Sequence, residues 1–273
     1  MLTPEQIGRF YLQWKPSEVH REWPQLWNKH YRVRVEGETF IKLNKRKRRL
    51  RFVSLRRLCL EYIPRNVYMS ALNWLMPERV GDKRASVGAY PIGGEYVIDI
   101  DSYLNYKKHT HRTTEARICE GYLENSKQLT ERFIDEVKEN YRNIRIVFSG
   151  KNGFHIHVLD FDLKDWVRYD EKNPLRSHES ARFRYSTILN DIVGRFDIHH
   201  FVLSSDVLRV ITFPESLNGE TGLVCSYLGD PSEFSSLNVN EILERAKSAK
   251  GRMTGINFVS LNRLSVTPRQ SIY

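Results

Sequence analysis

The chain has 273 residues and a mass of 32.3 kDa, enough for one large domain or two small ones with a substantial core. Hydrophobic residues make up 40% and charged residues 28%, an ordinary globular composition that excludes fibrous and disordered classes. No apolar run approaches the roughly 18–20 residues of a membrane helix, and the N-terminus lacks a signal-peptide core. With 3 widely spaced cysteines, the composition predicts a cytoplasmic protein without membrane contact or disulfides.

The net charge of +10 is concentrated near the N-terminus. Residues 1–60 hold 15 basic and 5 acidic side chains, and a basic arm over 42–57 holds nine basic and no acidic ones. This density is typical of contact with nucleic-acid phosphates, and Phe52, Tyr31 and Phe40 are candidates for stacking on bases. The alternatives are a solvated loop and a basic cluster of the kind found in nuclear-localisation signals. The side chains assigned to nucleic-acid binding are Arg46, Lys47, Arg48, Arg49 and Arg51.

The chain opens with a helix signal, in which Thr3 is the N-cap, Pro4 the first helical residue and Gln6 the partner of a capping box. Residues 61–77 show a short, mixed pattern interrupted by prolines. Periodicity then predicts a strand over 93–101, a helix over 128–141, a hairpin over 144–161 with its tip at Asn152 and Gly153, a helix over 179–196, strands over 207–213 and 223–227, and a helix over 240–250. This order predicts an α+β domain over residues 1–273, with mixed or antiparallel sheets flanked by helices.

Two carboxylates in the strand YVIDID are the first candidates for chemistry. Alternation places Asp99 and Asp101 on one strand face, roughly 6–7 Å apart, which suits one or two hard divalent cations such as Mg²⁺. The pattern is also found in sugar transferases and several nucleotidyltransferases. The alternative is a solvent-facing strand that merely carries two acids.

Two further motifs have residues suited to binding phosphate. In SGKNGFHIH, the glycine-rich turn can present backbone N–H groups to an anion, and Lys151 adds a positive charge. His155 and His157 share one strand face, with ordinary packing as the alternative. Arg209 is a candidate phosphate ligand, or else the partner of Asp206 in a surface ion pair.

In this order, the motifs YVIDID, SGKNGFHIH and SSDVLR followed by FPESLNGETGL resemble the small catalytic subunit of archaeal and eukaryotic DNA primase. The resemblance spans nearly the whole chain. It implies a primase-polymerase core that makes or extends primers from nucleoside triphosphates on single-stranded DNA, associated with the nucleoid, with a large primase subunit as a candidate partner. It also implies a two-metal site for Mg²⁺ or Mn²⁺ at Asp99 and Asp101. The residues that it assigns to nucleotide binding are Ser149, Gly150, Lys151, His155, Arg209 and Asn218.

The sequence departs from this family pattern in its third motif. The third metal-binding aspartate of the family aligns with His200, and Asp197 fills that role only if a short insertion shifts the register. Asn218 replaces a histidine and Glu220 replaces a lysine. A histidine ligand predicts a preference for Mn²⁺. These changes keep a second hypothesis open, a non-catalytic relative that binds single-stranded nucleic acid or nucleotide.

A zinc knuckle of the family is also incomplete. Residues 107–122 contain His109, His111 and Cys119, but Tyr122 stands where a second cysteine is expected. A closed structural zinc site needs four ligands, so the resemblance implies that the zinc site has been lost.

Overall fold

Two sheets, both built of antiparallel strand pairs, organise the described chain. The computed structural model describes residues 2–15, 19, 23, 26–44, 52–80, 91–101, 120–151, 153–161, 183, 187 and 208–253. The helices in these ranges are α1 (Pro4–Gln13), α2 (Phe52–Tyr62), α3 (Glu120–Val137), α4 (Pro231–Ser236) and α5 (Val239–Met253). The strands are β1 (Lys29–Arg34), β2 (Phe40–Lys42), β3 (Asn66–Trp74), β4 (Pro91–Gly94), β5 (Tyr96–Asp101), β6 (Ile144–Phe148), β7 (Gly153–Val158), β8 (Val210–Thr212) and β9 (Tyr227–Gly229).

The two sheets have separate strand orders. Sheet one runs β2-β1-β3-β4, and β8 also pairs with β3. Sheet two runs β5-β7-β6-β9, so β5 is a terminal strand among those described. The predicted α+β class is confirmed, with antiparallel pairing in every described strand pair.

Sheet two is buried on both faces. Ile98 and Ile100 of β5 belong to a core shared with α3, α4 and α5, whereas Val97 belongs to a second core shared with sheet one, α1 and α2. Alternation along a strand sends successive side chains to opposite faces, which explains why neighbours enter different cores. The face that carries Val97 is also the face of Asp99, so this carboxylate points toward sheet one.

Several predicted elements are confirmed. The capping box of α1 is present, since the Gln6 backbone N–H donates to Thr3 Oγ1 at 3.2 Å and the Thr3 N–H donates to Gln6 Oε1 at 2.9 Å. The hairpin of β6 and β7 pairs in register from Ile144 opposite Val158 to Phe148 opposite Phe154. The C-terminal helix is also present as α5, and none of the described helices is long and apolar enough to cross a bilayer.

The predicted strand over 93–101 is wrong in one respect, because the chain leaves one sheet for the other at Glu95. β4 pairs with β3 in sheet one, and β5 pairs with β7 in sheet two. Gly94 makes the crossing possible, since a Cβ there would lie 2.7 Å from the carbonyl oxygen of Ala71. Two backbones therefore approach at the point that leads into the Asp99 strand.

Other boundaries also differ from the predictions. The helix predicted over 128–141 is α3, which begins at Glu120 and ends at Val137. The mixed pattern over 61–77 conceals β3, a strand with both faces buried and therefore no polar alternation. The strand predicted over 207–213 corresponds to the shorter β8. The strand predicted over 223–227 is wrong in its bounds, because β9 begins at Tyr227 and ends at Gly229, whereas Val224 forms an isolated bridge to Leu217. The helix predicted over 179–196 lies outside the described residues apart from two positions.

Candidate active site

Asp99 lies near the end of β5, where its carboxylate meets an arginine from a distant part of the chain. The side chain is 17% exposed, and Oδ2 accepts a hydrogen bond from Arg209 Nη2 at 2.5 Å. Arg209 directly precedes β8, and its carbonyl oxygen accepts the backbone N–H of Ala71 at 3.4 Å. The cation of this pair, Arg209, therefore comes from a segment next to sheet one, and the carboxylate, Asp99, comes from sheet two.

His155 is the cross-strand neighbour of Asp99. The register of β5 and β7 places the two residues opposite each other, with His155 Nε2 3.6 Å from Asp99 Oδ1. The ring is buried, and its Nδ1 has no hydrogen-bond partner within the described part of the chain. Burial, together with the nearby His157 and Arg209, holds the pKa of His155 well below its usual range. The imidazole is therefore neutral at physiological pH.

The donor chemistry at this strand end fits a hard cation. Asp101 is the last residue of β5 and pairs with Gly153, but its side chain lies outside the described atoms. Asp99 offers carboxylate oxygens in partial contact with solvent, which is the ligand type that Mg²⁺ and Mn²⁺ take in proteins. No cluster of three metal-ligating side chains occurs in the parts of the chain that the structure describes.

The turn after β6 lies at the same end of sheet two as the two aspartates, because Gly153 is paired with Asp101. Ser149 Oγ accepts the backbone N–H groups of Lys151 at 3.3 Å and Gly153 at 3.2 Å. Ser149 Oγ is thus the acceptor of these two N–H groups in this structure, and the expectation that the turn binds an anion stays a prediction. Ser149 closes the turn, and Lys151 remains as its charged contribution.

A second loop packs on this turn. Asn218 Oδ1 accepts the backbone N–H groups of Glu220 at 3.1 Å and Thr221 at 3.4 Å, an Asx-type cap that shapes the loop from inside. Thr221 Oγ1 donates to the Gly150 carbonyl oxygen at 2.6 Å. Gly150 has a φ of +78°, and a Cβ there would lie 2.9 Å from Asn218 Cβ. Asn218 and Gly150, both assigned to nucleotide binding from the sequence, are thus in direct contact and shape the site.

Glu220 joins the turn to sheet one through two ion pairs. Its Oε2 accepts from Lys151 Nζ at 2.8 Å, and its Oε1 accepts from Arg34 Nη1 at 2.7 Å. Partial burial alone would raise the pKa of the Glu220 carboxyl, but the hydrogen bonds and charges of Lys151 and Arg34 outweigh it and lower the pKa. The acid that replaces the family's lysine is therefore ionised and shared between two cations. Sequence reasoning missed Arg34, which lies 186 residues from Glu220.

A buried polar network surrounds Glu95, the residue directly before the Asp99 strand. Sequence reasoning missed this network as well. Glu95 accepts from Lys29 Nζ at 2.8 Å, from His157 Nδ1 at 2.6 Å and from Trp23 Nε1 at 3.2 Å. Burial raises the pKa of Glu95, yet the charges and hydrogen bonds of Lys29 and His157 outweigh burial and hold it at about 2. His157 belongs to this network, and His155 faces Asp99. The signal in the sequence that could have predicted this network is the position of Glu95, a charged residue directly before an apolar strand.

The proposed stacking residues divide into three cases. Tyr31 is buried, and its hydroxyl donates to the Leu26 carbonyl oxygen at 2.7 Å, so its assignment to base stacking is wrong. Phe40 is 55% exposed on β2 and remains a candidate. Phe52 begins α2, but its side chain lies outside the described atoms.

Many sequence assignments fall on residues outside the described ranges. They are the third-ligand candidates His200 and Asp197, the arginine partner Asp206, the basic side chains Arg46, Lys47, Arg48, Arg49 and Arg51, and the zinc-knuckle residues His109, His111 and Cys119. These assignments stay predictions.

Comparison with solved structures identifies the class of fold. The polymerase domain from Mycobacterium tuberculosis Ligase D, solved in complex with DNA, matches with a TM-score of 0.53 at 12% sequence identity. The match covers 91% of this chain and 90% of that chain. At this level of identity, the likeness shows that the chain has the fold of that polymerase domain.

Comparison with curated sequences identifies the family. DNA primase small subunit PriS of Pyrobaculum arsenaticum is 31% identical over 233 residues, covering 70% of this chain and 68% of the relative. PriS of Pyrobaculum aerophilum is 30% identical over 206 residues, with 62% of each chain covered. A DNA primase small subunit-like protein of Archaeoglobus fulgidus, itself uncharacterized, is 30% identical over 182 residues, covering 62% of this chain and 59% of the relative. No family model matches the sequence. The chain belongs to the DNA primase small subunit family.

Proposed function

We propose that the protein is a template-dependent nucleotidyltransferase that makes or extends primers from nucleoside triphosphates. Family membership supports this function, and one observation of the site carries it. The partly exposed Asp99 carboxylate lies at the end of β5, with Arg209 bound to it and a neutral His155 opposite it. The turn that carries Lys151 lies at the same end of the sheet. The site thus combines a metal-ligand type with cations suited to phosphate.

The reaction proposed is attack of a 3′-hydroxyl on the α-phosphorus of a nucleoside triphosphate, with pyrophosphate leaving. Asp99 and Asp101 would hold Mg²⁺ or Mn²⁺, which when bound supplies positive charge to the phosphates and lowers the pKa of the attacking hydroxyl. Arg209 holds Asp99 through one nitrogen, and a guanidinium has further N–H donors for phosphate oxygens. His155 carries a single ring proton, so it can donate one hydrogen bond without adding charge.

A primer-extension assay on a primed single-stranded DNA template, run separately with Mg²⁺ and Mn²⁺, tests this function. Extension that depends on both template and triphosphate supports it. A parallel reaction without primer tests initiation. No product under any of these conditions, from protein shown to be folded by circular dichroism, contradicts it.

Two observations favour the second candidate, a non-catalytic protein that binds single-stranded nucleic acid or nucleotide. Arg209 neutralises the carboxylate at the metal position, and Glu220 brings a negative charge to the place where phosphate would bind. This candidate predicts binding of single-stranded DNA or nucleotide without product formation. The same protein preparation therefore distinguishes the two functions when binding is measured beside extension.

A further inference from the structure

The geometry points to an anion-binding subsite formed by Arg34 and Lys151, which the Glu220 carboxylate occupies in this structure. The ligand that fits it is a phosphate group of the incoming nucleotide, so the inference rests on the proposed function. Glu220 acts there as a built-in competitor that the phosphate must displace. Arg34 becomes a nucleotide-binding residue contributed by sheet one.

The two cations converge on one small anion from different sheets. Arg34 ends β1, whereas Lys151 lies in the turn between β6 and β7. They bind different oxygens of the same carboxylate, at 2.7 and 2.8 Å. These are the distances of charge-assisted hydrogen bonds to carboxylate or phosphate oxygens. A phosphate presents several oxygens with the same acceptor chemistry, so it matches the position that the carboxylate marks.

Hydrogen bonds fix the backbone at Glu220, whereas its side chain is free to rotate away from Arg34 and Lys151. Its N–H donates to Asn218 Oδ1 at 3.1 Å, and the preceding Gly219 N–H donates to the Arg65 carbonyl oxygen at 2.7 Å. The Glu220 side chain is 29% exposed and that of Lys151 is 43% exposed. Rotation of the Glu220 side chain into solvent therefore uncovers both cations without any movement of the loop.

The charges also favour replacement of the carboxylate by phosphate. Arg34 and Lys151 carry two positive charges against the single negative charge of Glu220, so the cluster remains cationic when the carboxylate is in place. A triphosphate carries more negative charge than one carboxylate, and it gains more from the two cations. The contact with Glu220 lowers its apparent affinity, because only the open fraction of the protein is competent to bind.

Substitution of Glu220 tests whether its carboxylate competes with phosphate for Arg34 and Lys151 or holds these two side chains in place for binding. Glu220→Gln keeps the shape and one acceptor oxygen but removes the charge, so the affinity for triphosphate rises about five- to tenfold. Glu220→Lys adds a third cation and raises the affinity further. Arg34→Met and Lys151→Met each weaken binding, since each removes one of the two phosphate contacts.

Isothermal titration with inorganic triphosphate and with a non-hydrolysable nucleoside triphosphate, both in the presence of Mg²⁺, measures these affinities. Glu36→Gln is the matched control, because Glu36 is an exposed acid that pairs with Arg65 at 3.4 Å and contacts neither Lys151 nor Arg34 in any described ion pair. We expect the control to bind like wild type. Thermal denaturation of each variant verifies that the fold is retained.

The result that overturns the inference is distinct from failure of the proposed function. If Glu220→Gln binds triphosphate as wild type does, or more weakly, then Glu220 supports the two cations instead of competing for them. Primer extension by wild type then still upholds the proposed function. If neither wild type nor Glu220→Gln binds either probe, the result contradicts both the subsite at Arg34 and Lys151 and the proposed nucleotide site.

Discussion

At the scale of single residues, Asp99 is the group whose chemistry the surrounding side chains define most completely. It combines partial exposure, an arginine on one oxygen and a neutral histidine beside the other. Its own strand is held by the apolar residues of the opposite face, so the carboxylate contributes little to packing. Function and stability should therefore separate at this position.

We expect Asp99→Asn to lower nucleotidyl transfer by at least about 10²-fold while the melting temperature stays near that of wild type, because an amide keeps the shape but loses the metal-ligand charge. Primer extension and thermal denaturation measure the two effects. Asp135→Asn is the control, since Asp135 is an exposed acid of α3 paired with Lys138. Wild-type turnover in Asp99→Asn would contradict the proposed site.

Glu95 presents the opposite case, a carboxylate that contributes to stability from a buried position. Its side chain is 2% exposed and accepts from Lys29, His157 and Trp23. Breaking a buried pair by removing one charge typically costs about 3–5 kcal/mol, because the partner charge is left uncompensated. We expect Glu95→Gln to lower the free energy of unfolding by an amount of that order, measured with denaturant. Glu36→Gln, in an exposed pair, should change it by about 1 kcal/mol or less.

The depressed pKa of Glu95 also predicts how stability depends on pH. The folded value of about 2 lies below the ordinary value of 4.5, so between these limits the unfolded chain binds a proton that the folded chain does not. The contribution of Glu95 is therefore complete above pH 4.5 and is lost as the pH falls toward 2. Denaturant unfolding of wild type and Glu95→Gln between pH 5 and 3 checks this. The difference in the free energy of unfolding between wild type and Glu95→Gln should become smaller as the pH falls. A difference that does not change with pH would contradict a depressed pKa at Glu95.

At the scale of elements, the turn after β6 and the loop after Pro214 form one unit. Gly150 has φ +78°, and its missing side chain lets Asn218 approach, while Thr221 binds the Gly150 carbonyl oxygen. The close approach explains why a turn motif and a loop motif far apart in the chain both belong to the proposed nucleotide site.

Gly150→Ala tests this contact, and Gly37→Ala is its matched control. Both glycines have nearly the same φ, +78° and +76°, but a Cβ at Gly37 meets nothing within 4 Å. Backbone strain of about 1–2 kcal/mol is common to both variants. We expect Gly150→Ala to lose additional stability and to weaken triphosphate binding, as measured by denaturant unfolding and titration. Equal effects of the two substitutions would show that the approach to Asn218 contributes nothing.

At the scale of the whole molecule, the site lies between the two sheets, which share the core that contains Val97. Sheet two provides Asp99, His155 and Lys151, whereas Arg209 and Arg34 come from segments of sheet one. The excess positive charge of the chain lies mainly in the N-terminal 60 residues, which supply β1 and β2 of sheet one. The excess positive charge and the Asp99 carboxylate thus come from different parts of the fold.

Joint neutralisation of Arg46, Lys47, Arg48 and Arg49 by glutamine should weaken single-stranded DNA binding and flatten its dependence on salt. Removing one phosphate-binding cation lowers the slope of log affinity against log salt by about 0.7 for single strands. Fluorescence anisotropy over a salt series measures both quantities. Lys138→Gln combined with Lys247→Gln is the control, because both lysines are exposed and lie outside the basic arm. Unchanged affinity and slope in the fourfold variant would make the arm a solvated surface.

The sequence by itself determined the features that depend on neighbouring residues. The capping box at Thr3, the hairpin of β6 and β7, and the two faces of the Asp99 strand follow from local spacing and alternation. The order of the motifs also predicted the family. The sequence pattern did not reveal the break at Glu95. It also missed β3, because a strand buried on both faces lacks the polar alternation that periodicity detects.

Only the tertiary structure decided which charges meet. Arg209 and Asp99 are 110 residues apart, Glu220 reaches Arg34 over 186 residues and Lys151 over 69, and Lys29 meets Glu95 over 66. Local sequence gives a charged side chain its element and its face but no partner. The partner depends on how the two sheets pack across their shared core, and that packing is a property of the whole fold.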